Sequence, residues 1–488
     1  MTLSKSKYIQ ALQCHKALWL NKHRPELKGE YDGNRLDVIK SGNTIGELAK
    51  DLFPGGEEIE FNRDDFKGML SKTKDLVAEG KDVIYEATFS EKGIFAMADI
   101  LVRNEDKWDI YEVKGSTSVK DVHVDDAAVQ WYALSKVLEL NNAYIVHVNN
   151  EYVRKGDLDV HALFTIENIT EDVLAKQEEI PKQLKEMETV LDGKMPEIKI
   201  GKHCSNPYEC DFSDFCWKDV PYPSVFNISY AMGKQWSLYE QGIVKIEDIP
   251  DDFYFGPNAS LQIKHHHSQE IKIDKSEIKE FLDTIEYPIN FFDFETFQNV
   301  VPRFDGQRPY AQMPFQYSLH ILHEDGRLEH KEFLGDENCD PRRPLAQQML
   351  KDLTPRGSIA AFSQGFEKGQ IRRLAEFVDD ISEELLDLTE RFVDIAHPFQ
   401  QKNYYHPGFN GRYSIKVVLP TLFPNDDELD YKKLGSVQNG GDAMDTFANL
   451  YLLKDVCKRD QIRKDLLAYC RLDTLAMVRI WEKLHTFL

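Results

Sequence analysis

The segment Ile289-Asn290-Phe291-Phe292-Asp293-Phe294-Glu295-Thr296-Phe297 restricts this chain more than any other. Its aromatic and apolar residues predict a buried strand, and Tyr287-Pro288 discourages a helix from running into it. A strand repeats every two residues, so Asp293 and Glu295 share one face while Phe292 and Phe294 take the other. Two carboxylates side by side on a rigid strand repel each other unless cations lie between them. Mg²⁺ accepts a few carboxylates together with substrate phosphate oxygens. The pair therefore reads as one wall of a two-metal phosphodiesterase site. With 83 acidic residues in the chain, such triplets also arise by chance, so the reading depends on partners elsewhere.

At 488 residues the chain exceeds what one core holds. We expect an α/β protein with large domains over residues 1–220 and 285–488 and a helical connector over 221–284. No apolar run reaches membrane-spanning length, so no membrane partner is expected. The start, Met1 to Tyr8, lacks the apolar core of a signal peptide, which predicts a cytoplasmic protein. A net charge of −23 argues against a general nucleic-acid coat, which needs clustered Lys and Arg. It leaves room for a nuclease whose basic residues, Lys416 and Arg412 among the candidates, line its clefts. Seven cysteines do not make a disulfide framework in such a chain. Cys14 stands alone near the start, whereas Cys204, Cys210 and Cys216 cluster.

In chain order, residues 8–20 have helical apolar spacing and carry Cys14, and a helix over 43–52 carries Glu47. Residues 82–89 predict a strand. Residues 94–102 and 108–114, parted by Asn104-Glu105-Asp106-Lys107, predict a hairpin with Asp99 on one strand and Glu112 and Lys114 on the other. An amphipathic helix over 124–140 carries Gln130. Asp99, the triplet Glu112-Val113-Lys114, Glu47 and Gln130 together resemble the PD-(D/E)xK nucleases of the RecB type, with their restriction-endonuclease-like fold. The resemblance implies that Asp99 and Glu112 hold Mg²⁺ or Mn²⁺ with Glu47 nearby. Lys114 would position the attacking water or stabilise charge on the scissile phosphate, and Gln130 would orient the site.

One cysteine before this motif and three after it resemble the iron–sulfur RecB-like subfamily, which includes CRISPR-associated and AddB-type nucleases. That likeness implies a [4Fe–4S] cluster on Cys14, Cys204, Cys210 and Cys216 that staples the ends of the domain together. Cys204 and Cys210 stand further apart than the C-x-x-C of those relatives. Zinc is the alternative ligand. In the connector, residues 236–250 read as a packing hairpin of helices, and His265-His266-His267 as solvated linker residues.

Beyond the opening strand, residues 315–323 and 328–334 predict two more strands, 344–353 a helix, 358–363 a short strand and 366–378 a helix. Glu367 follows that fourth strand. Tyr469 and Asp473, four apart in a long helical stretch, share a helix face. Residues 279–488 resemble the DnaQ-like DEDD exonucleases in the subclass with a Y-x-x-x-D third motif. The resemblance implies a ribonuclease-H-like mixed sheet and 3′→5′ hydrolysis of nucleic acid. Two metal ions would be held by Asp293, Glu295, Glu367 and Asp473, with the Tyr469 hydroxyl holding the attacking water. The chain departs from the family with Glu367 where Asp is common and Ser363 where Asn often stands.

The whole chain is similar to an uncharacterised bacterial group that joins these two domains. Arg303-Phe304-Asp305-Gly306, residues 315–320 and residues 469–477 carry that similarity. The expected partner is nucleic acid, DNA ahead of RNA. The alternative is a nucleic-acid-binding scaffold in which one or both nuclease domains are degenerate.

Overall fold

The computed structural model describes residues 2–29 and 42–488. The chain is a mixed α/β protein of two compact units. The first comprises Met1–Asp219 with Asn299–Tyr310, and the second comprises Val220–Gln298 with Ala311–Leu488. Two boundaries differ from those expected. The connector belongs to the second unit, because its apolar residues close cores there: Val225, Leu238, Ile246 and Phe255 pack together, and Ile278 and Leu282 join the main core. Residues 299–310 belong to the first unit. Among the described residues no helix is long and apolar enough to cross a membrane.

The described residues of the first unit form a seven-stranded mixed sheet in the order Glu57–Glu58, Val83–Glu91, Ile94–Asn104, Lys107–Lys114, Leu140–Val148, Phe164–Asn168, with Leu3–Ser4 alongside Ile94–Phe95. The strands of the expected hairpin pair antiparallel, whereas Lys107–Lys114 runs parallel to Leu140–Val148. A parallel pair needs a crossover, supplied by the helix Asp121–Leu134. That helix stops well short of residue 140, because the apolar stretch 143–148 is needed as a central strand. Successive residues feed opposite faces: Ile84 and Ile145 pack into one core, Tyr85 and Val146 into the other. The single helix expected over 8–20 is two, Lys5–Gln13 and His15–His23, broken at an extended Cys14.

The second unit carries a five-stranded sheet in the order Leu328–Leu334, Met313–Leu322, Ile289–Phe297, Ile359–Ala361, Phe392–Asp394. The first three strands meander antiparallel and the last two join parallel. Phe292 and Phe294 face a core with Leu345, Met349, Ile371 and Leu374, from the helices Arg342–Asp352 and Gly365–Phe377. Phe291 faces the other way, into a core with Met477, Ile480 and Trp481 of the helix Val456–His485. That helix is rich in Leu, Arg and Lys, all strong helix formers. His265, His266 and His267 end the helix Pro257–Ser268 rather than lying in a linker. His265 is buried against the Glu270 carbonyl, at 2.7 Å. The aromatic residues Phe315, Tyr404 and Tyr405 are likewise buried in the core.

Candidate functional site

In the second unit, Asp293 is the one half-buried position of an otherwise buried strand. It and Glu295 point at the helix Val456–His485, whose inward face presents Tyr469, Cys470 and Asp473. Ligand atoms of Asp293, Glu295 and Cys470 lie within 4.8 Å of one another. The Cys470 thiol sits 3.9 Å from Asp293 Oδ2. A Cβ placed on Gly440 would stand 3.9 Å from Glu295 Oε2 and 4.0 Å from the Tyr469 hydroxyl, so these two groups meet at one spot. Asp473 accepts hydrogen bonds from the hydroxyls of Tyr469 and Tyr431.

Glu367 stands in the first turn of Gly365–Phe377 and is buried, with Oε2 lacking any hydrogen-bond partner. The turn leading into it is held by Asp394, which accepts from the backbone N–H of Ser363 (2.9 Å), Gln364 (3.3 Å) and Ala396 (2.9 Å). Ser363 takes a positive φ of 71°, uncommon for a residue with a Cβ, and this is the turn that delivers Glu367.

Electrostatics report the same convergence. Burial, then Asp473, Glu295 and Glu367, holds Asp293 well above the usual carboxylate range, and burial with Asp473 does the same to Glu295. Burial raises Asp473 to about 6 and, helped by Asp394, raises Glu367 to about 8. The Lys416 ammonium, 5.3 Å from the Tyr469 ring and 5.7 Å from that of Tyr431, is a nearby positive charge that eases both Glu295 and Asp473. Four crowded carboxylates that cannot all ionise alone form a ready ligand set for hard divalent cations.

In the first unit, strand pairing aligns Ile100 with Tyr111 and so sets Asp99 beside Glu112. Asp99 Oδ2 accepts from the Val113 N–H at 2.7 Å. Both ammonium groups of Lys114 (2.6 Å) and Lys5 (2.7 Å) meet Glu112 Oε1, and Gln130 Nε2 donates to Glu112 Oε2. Asp126 lies one helical turn before Gln130 and is bound by the same two lysines. Burial and then Glu112 raise Asp99 to about 6. Burial alone would raise Glu112 too, but Lys114 and Lys5 hold it well below the usual range.

Glu47 is not part of this cluster. Residues 42–49 are helical and bury Ile45 and Ala49, which turns Glu47 outward, 71% exposed and paired with Lys50 at 2.8 Å. The sequence reading missed Glu86, which strand pairing of Tyr85 with Ile100 and Ala87 with Ala98 sets across from Asp99. Burial, then Asp99 and Glu112, raises Glu86 to about 7. An acid inside an apolar strand was its only local signal. Lys5 and Asp126 were missed as well, although Asp126 shares the helix face of Gln130.

The four thiols of Cys14, Cys204, Cys210 and Cys216 line one small cavity and form no disulfides. Leu20 and Phe212, both fully buried, close its apolar side. Burial raises Cys210 to about 11, and the other three thiols add to the shift. The break at Cys14 aims this thiol toward the others. Gln13, the residue before it, donates to the carbonyls of His203 and Tyr208, both at 2.7 Å, and so pins the loop that carries the other three.

Comparison with known proteins adds a family match. Residues 290–414 match the family described as Domain of unknown function (DUF2779). The matched stretch holds Asp293, Glu295 and Glu367 and stops before Tyr469. An "Uncharacterized protein UU173" from Ureaplasma parvum serovar 3 is 26% identical over 211 residues, 39% of this chain. The chain spans 30% of the length of that curated relative. A solved chain described as "Crystal structure of SSO0001" aligns with 44% of this chain and 85% of its own at 14% identity. Its TM-score of 0.23 is too low to carry a statement about fold.

Glu47, outside the first-unit cluster, and Glu86, inside it, have opposite expected weights. Were this unit to carry out the metal-dependent cleavage expected from its sequence, Glu47→Ala would stay within about twofold of the native rate. Glu86→Gln is expected to cost roughly tenfold or more. Equal losses in the two variants would show that the buried cluster is not where the acids act.

Proposed function

We propose that the chain is a metal-dependent nuclease with two hydrolytic sites. One is a RecB-like PD-(D/E)xK site in the first unit, beside a [4Fe–4S] cluster. The other is a DnaQ-like 3′→5′ exonuclease site in the second. The observation that carries this reading is that Glu295, Glu367 and Asp473, drawn from three separate segments, all lie close enough to Asp293 to hold its proton on, while Glu367 Oε2 is buried without a hydrogen-bond partner. The sheet order of the second unit, third strand, second, first, fourth, fifth, supports a ribonuclease-H-like fold.

Asp293, Glu295, Glu367 and Asp473 would hold divalent ions, Mg²⁺ or Mn²⁺, since these are hard oxygen donors. Bound there, such ions would supply an activated water and neutralise charge gathering on the phosphate. The Tyr469 hydroxyl, fixed by Asp473, would orient that water. Lys416 would draw the polyanion toward the carboxylates. In the first unit Asp99, Glu112 and Glu86 would hold the metal, and Lys114 would stabilise the phosphate. Nucleic acid, DNA ahead of RNA, is the substrate.

Cys14, Cys204, Cys210 and Cys216, gathered on one small cavity, would hold the cluster, with zinc as the alternative ligand.

A second reading, in which the first unit only binds nucleic acid, is favoured by one observation: both oxygens of Glu112 are already engaged. Degradation of 5′- and 3′-labelled single- and double-stranded substrates with Mg²⁺, Mn²⁺ or EDTA decides. Shortening from the 3′ end that needs metal and survives Asp99→Ala is expected of the second unit. Any cleavage lost with Asp99→Ala belongs to the first. Intact substrate under every metal would leave a scaffold.

A further inference from the structure

Beside the first-unit carboxylates opens a cleft of about 500 Å³, lined among others by Lys5, Gln10, Lys28, Lys114, Asp126 and Tyr208. Its size lies within the roughly 300–1,000 Å³ of small-ligand sites. We propose that Lys5 and Lys114 form a two-lysine seat on the floor of this cleft for a backbone phosphate of single-stranded nucleic acid. The proposal rests on the nuclease reading and names a binding residue, Lys5, that the D…ExK pattern does not contain.

The two ammonium groups share the same pair of oxygens. Glu112 Oε1 meets Lys5 at 2.7 Å and Lys114 at 2.6 Å, and Asp126 Oδ2 meets Lys5 at 3.5 Å and Lys114 at 2.5 Å. An ammonium has three N–H donors. Two are directed at these carboxylates, which leaves at least one on each lysine, and both side chains reach the cleft, 21% and 22% exposed. They are buried enough to be fixed and open enough to touch a ligand. Two converging cationic donors suit the paired non-bridging oxygens of a phosphodiester.

The local sequence agrees. Lys5 opens the helix Lys5–Gln13, whose first turn has no acidic residue. A cation at that end runs against the helix dipole, so helix stability does not account for it. Neutralising Glu112 does not require it either, because Lys114 already pairs with Glu112 Oε1. Tyr208, 51% exposed on the same cleft, offers a ring on which a base can stack, which favours a nucleotide chain over a bare anion.

The test needs no catalysis. In EDTA, a fluorescent single-stranded oligothymidylate is titrated into the full chain. Acylation of individual lysines is followed in parallel by peptide mapping. The seat predicts that saturating oligonucleotide slows acylation of both Lys5 and Lys114. It also predicts that Lys5→Met weakens binding about tenfold and lowers the salt slope of log affinity by about one, with Lys5→Arg restoring most of both. Unchanged acylation of either lysine overturns the proposal, and this readout needs no variant to fold. So does native affinity in a Lys5→Met protein that melts like the wild type. Cleavage by the same wild-type preparation separates the two claims. Lys5-dependent binding without cleavage sinks the nuclease reading alone, and cleavage with Lys5-independent binding sinks the seat alone.

Discussion

An Asp293→Asn protein is expected to lose hydrolysis at the second site by roughly 10³-fold while becoming more stable than the native chain in EDTA. The two effects have one cause. Asp293, Glu295, Glu367 and Asp473 all hold their protons more tightly when folded than a free carboxylate does. Below about pH 4 these acids are protonated in both states and cost nothing. As pH rises above that, they ionise in the unfolded chain but not yet in the folded one. The folded state then carries more protons, so stability falls with pH. The fall continues at least through the folded values of about 6 for Asp473 and about 8 for Glu367.

Metal-free protein should therefore melt lower at pH 8 than at pH 5, by roughly 5 °C or more in the transition of the second unit. Mn²⁺ should restore the loss at pH 8, and Asp293→Asn should flatten the profile without metal. Melting curves at both pH values, with EDTA or Mn²⁺, check this. A flat profile in EDTA, or an Asn variant less stable than native, would mean the four acids are not crowded as described.

The Cys216→Ala protein is expected to be colourless and to melt its first unit far below the native, which should be brown when prepared without oxygen. A cluster held by all four thiols would tie Cys14 to the loop 204–216 and close a loop of roughly 190 residues, worth on the order of 5 kcal/mol in chain entropy. Losing it would free the Gln13 contacts to His203 and Tyr208 and loosen the helix that begins at Lys5. Metal content and visible absorption of native and variant proteins, with melting curves, provide the check. Native protein that is colourless and holds zinc would assign the thiols to a single ion. A variant as stable as the native would remove the staple altogether.

What could be read along the chain was whatever repeats locally. The hairpin of Asp99 and Glu112 follows from alternation and a polar turn, and the opposite faces of Asp293 and Phe292 follow from a period of two. Tyr469 and Asp473 share a face because four residues make about one helical turn. Features that depend on distant partners were not legible. Helical spacing continues across Cys14, so nothing local marks the break. It becomes intelligible only with residues 204–216 in place. Glu86 gains its neighbours from strand register, which pairs Tyr85 with Ile100. Glu47 was assigned by its place in a pattern, whereas Ile45 and Ala49 decide which way that helix turns. The strand Phe392–Asp394 is only three residues long, too short for periodicity to declare it.

The excursion of residues 299–310 makes the order of the chain unlike that of two beads on a string. It leaves the second unit just after Phe297 and lays Val300 and Tyr310 on the core of the first. There the Tyr310 hydroxyl donates to the carbonyl of Gly115, the residue after Lys114, and Arg154 Nη1 donates to the Pro302 carbonyl at 2.8 Å. A gene cut after Asp219 would thus yield a first half missing a strip of its own interior, and a second half bearing an apolar ribbon with nothing to cover it.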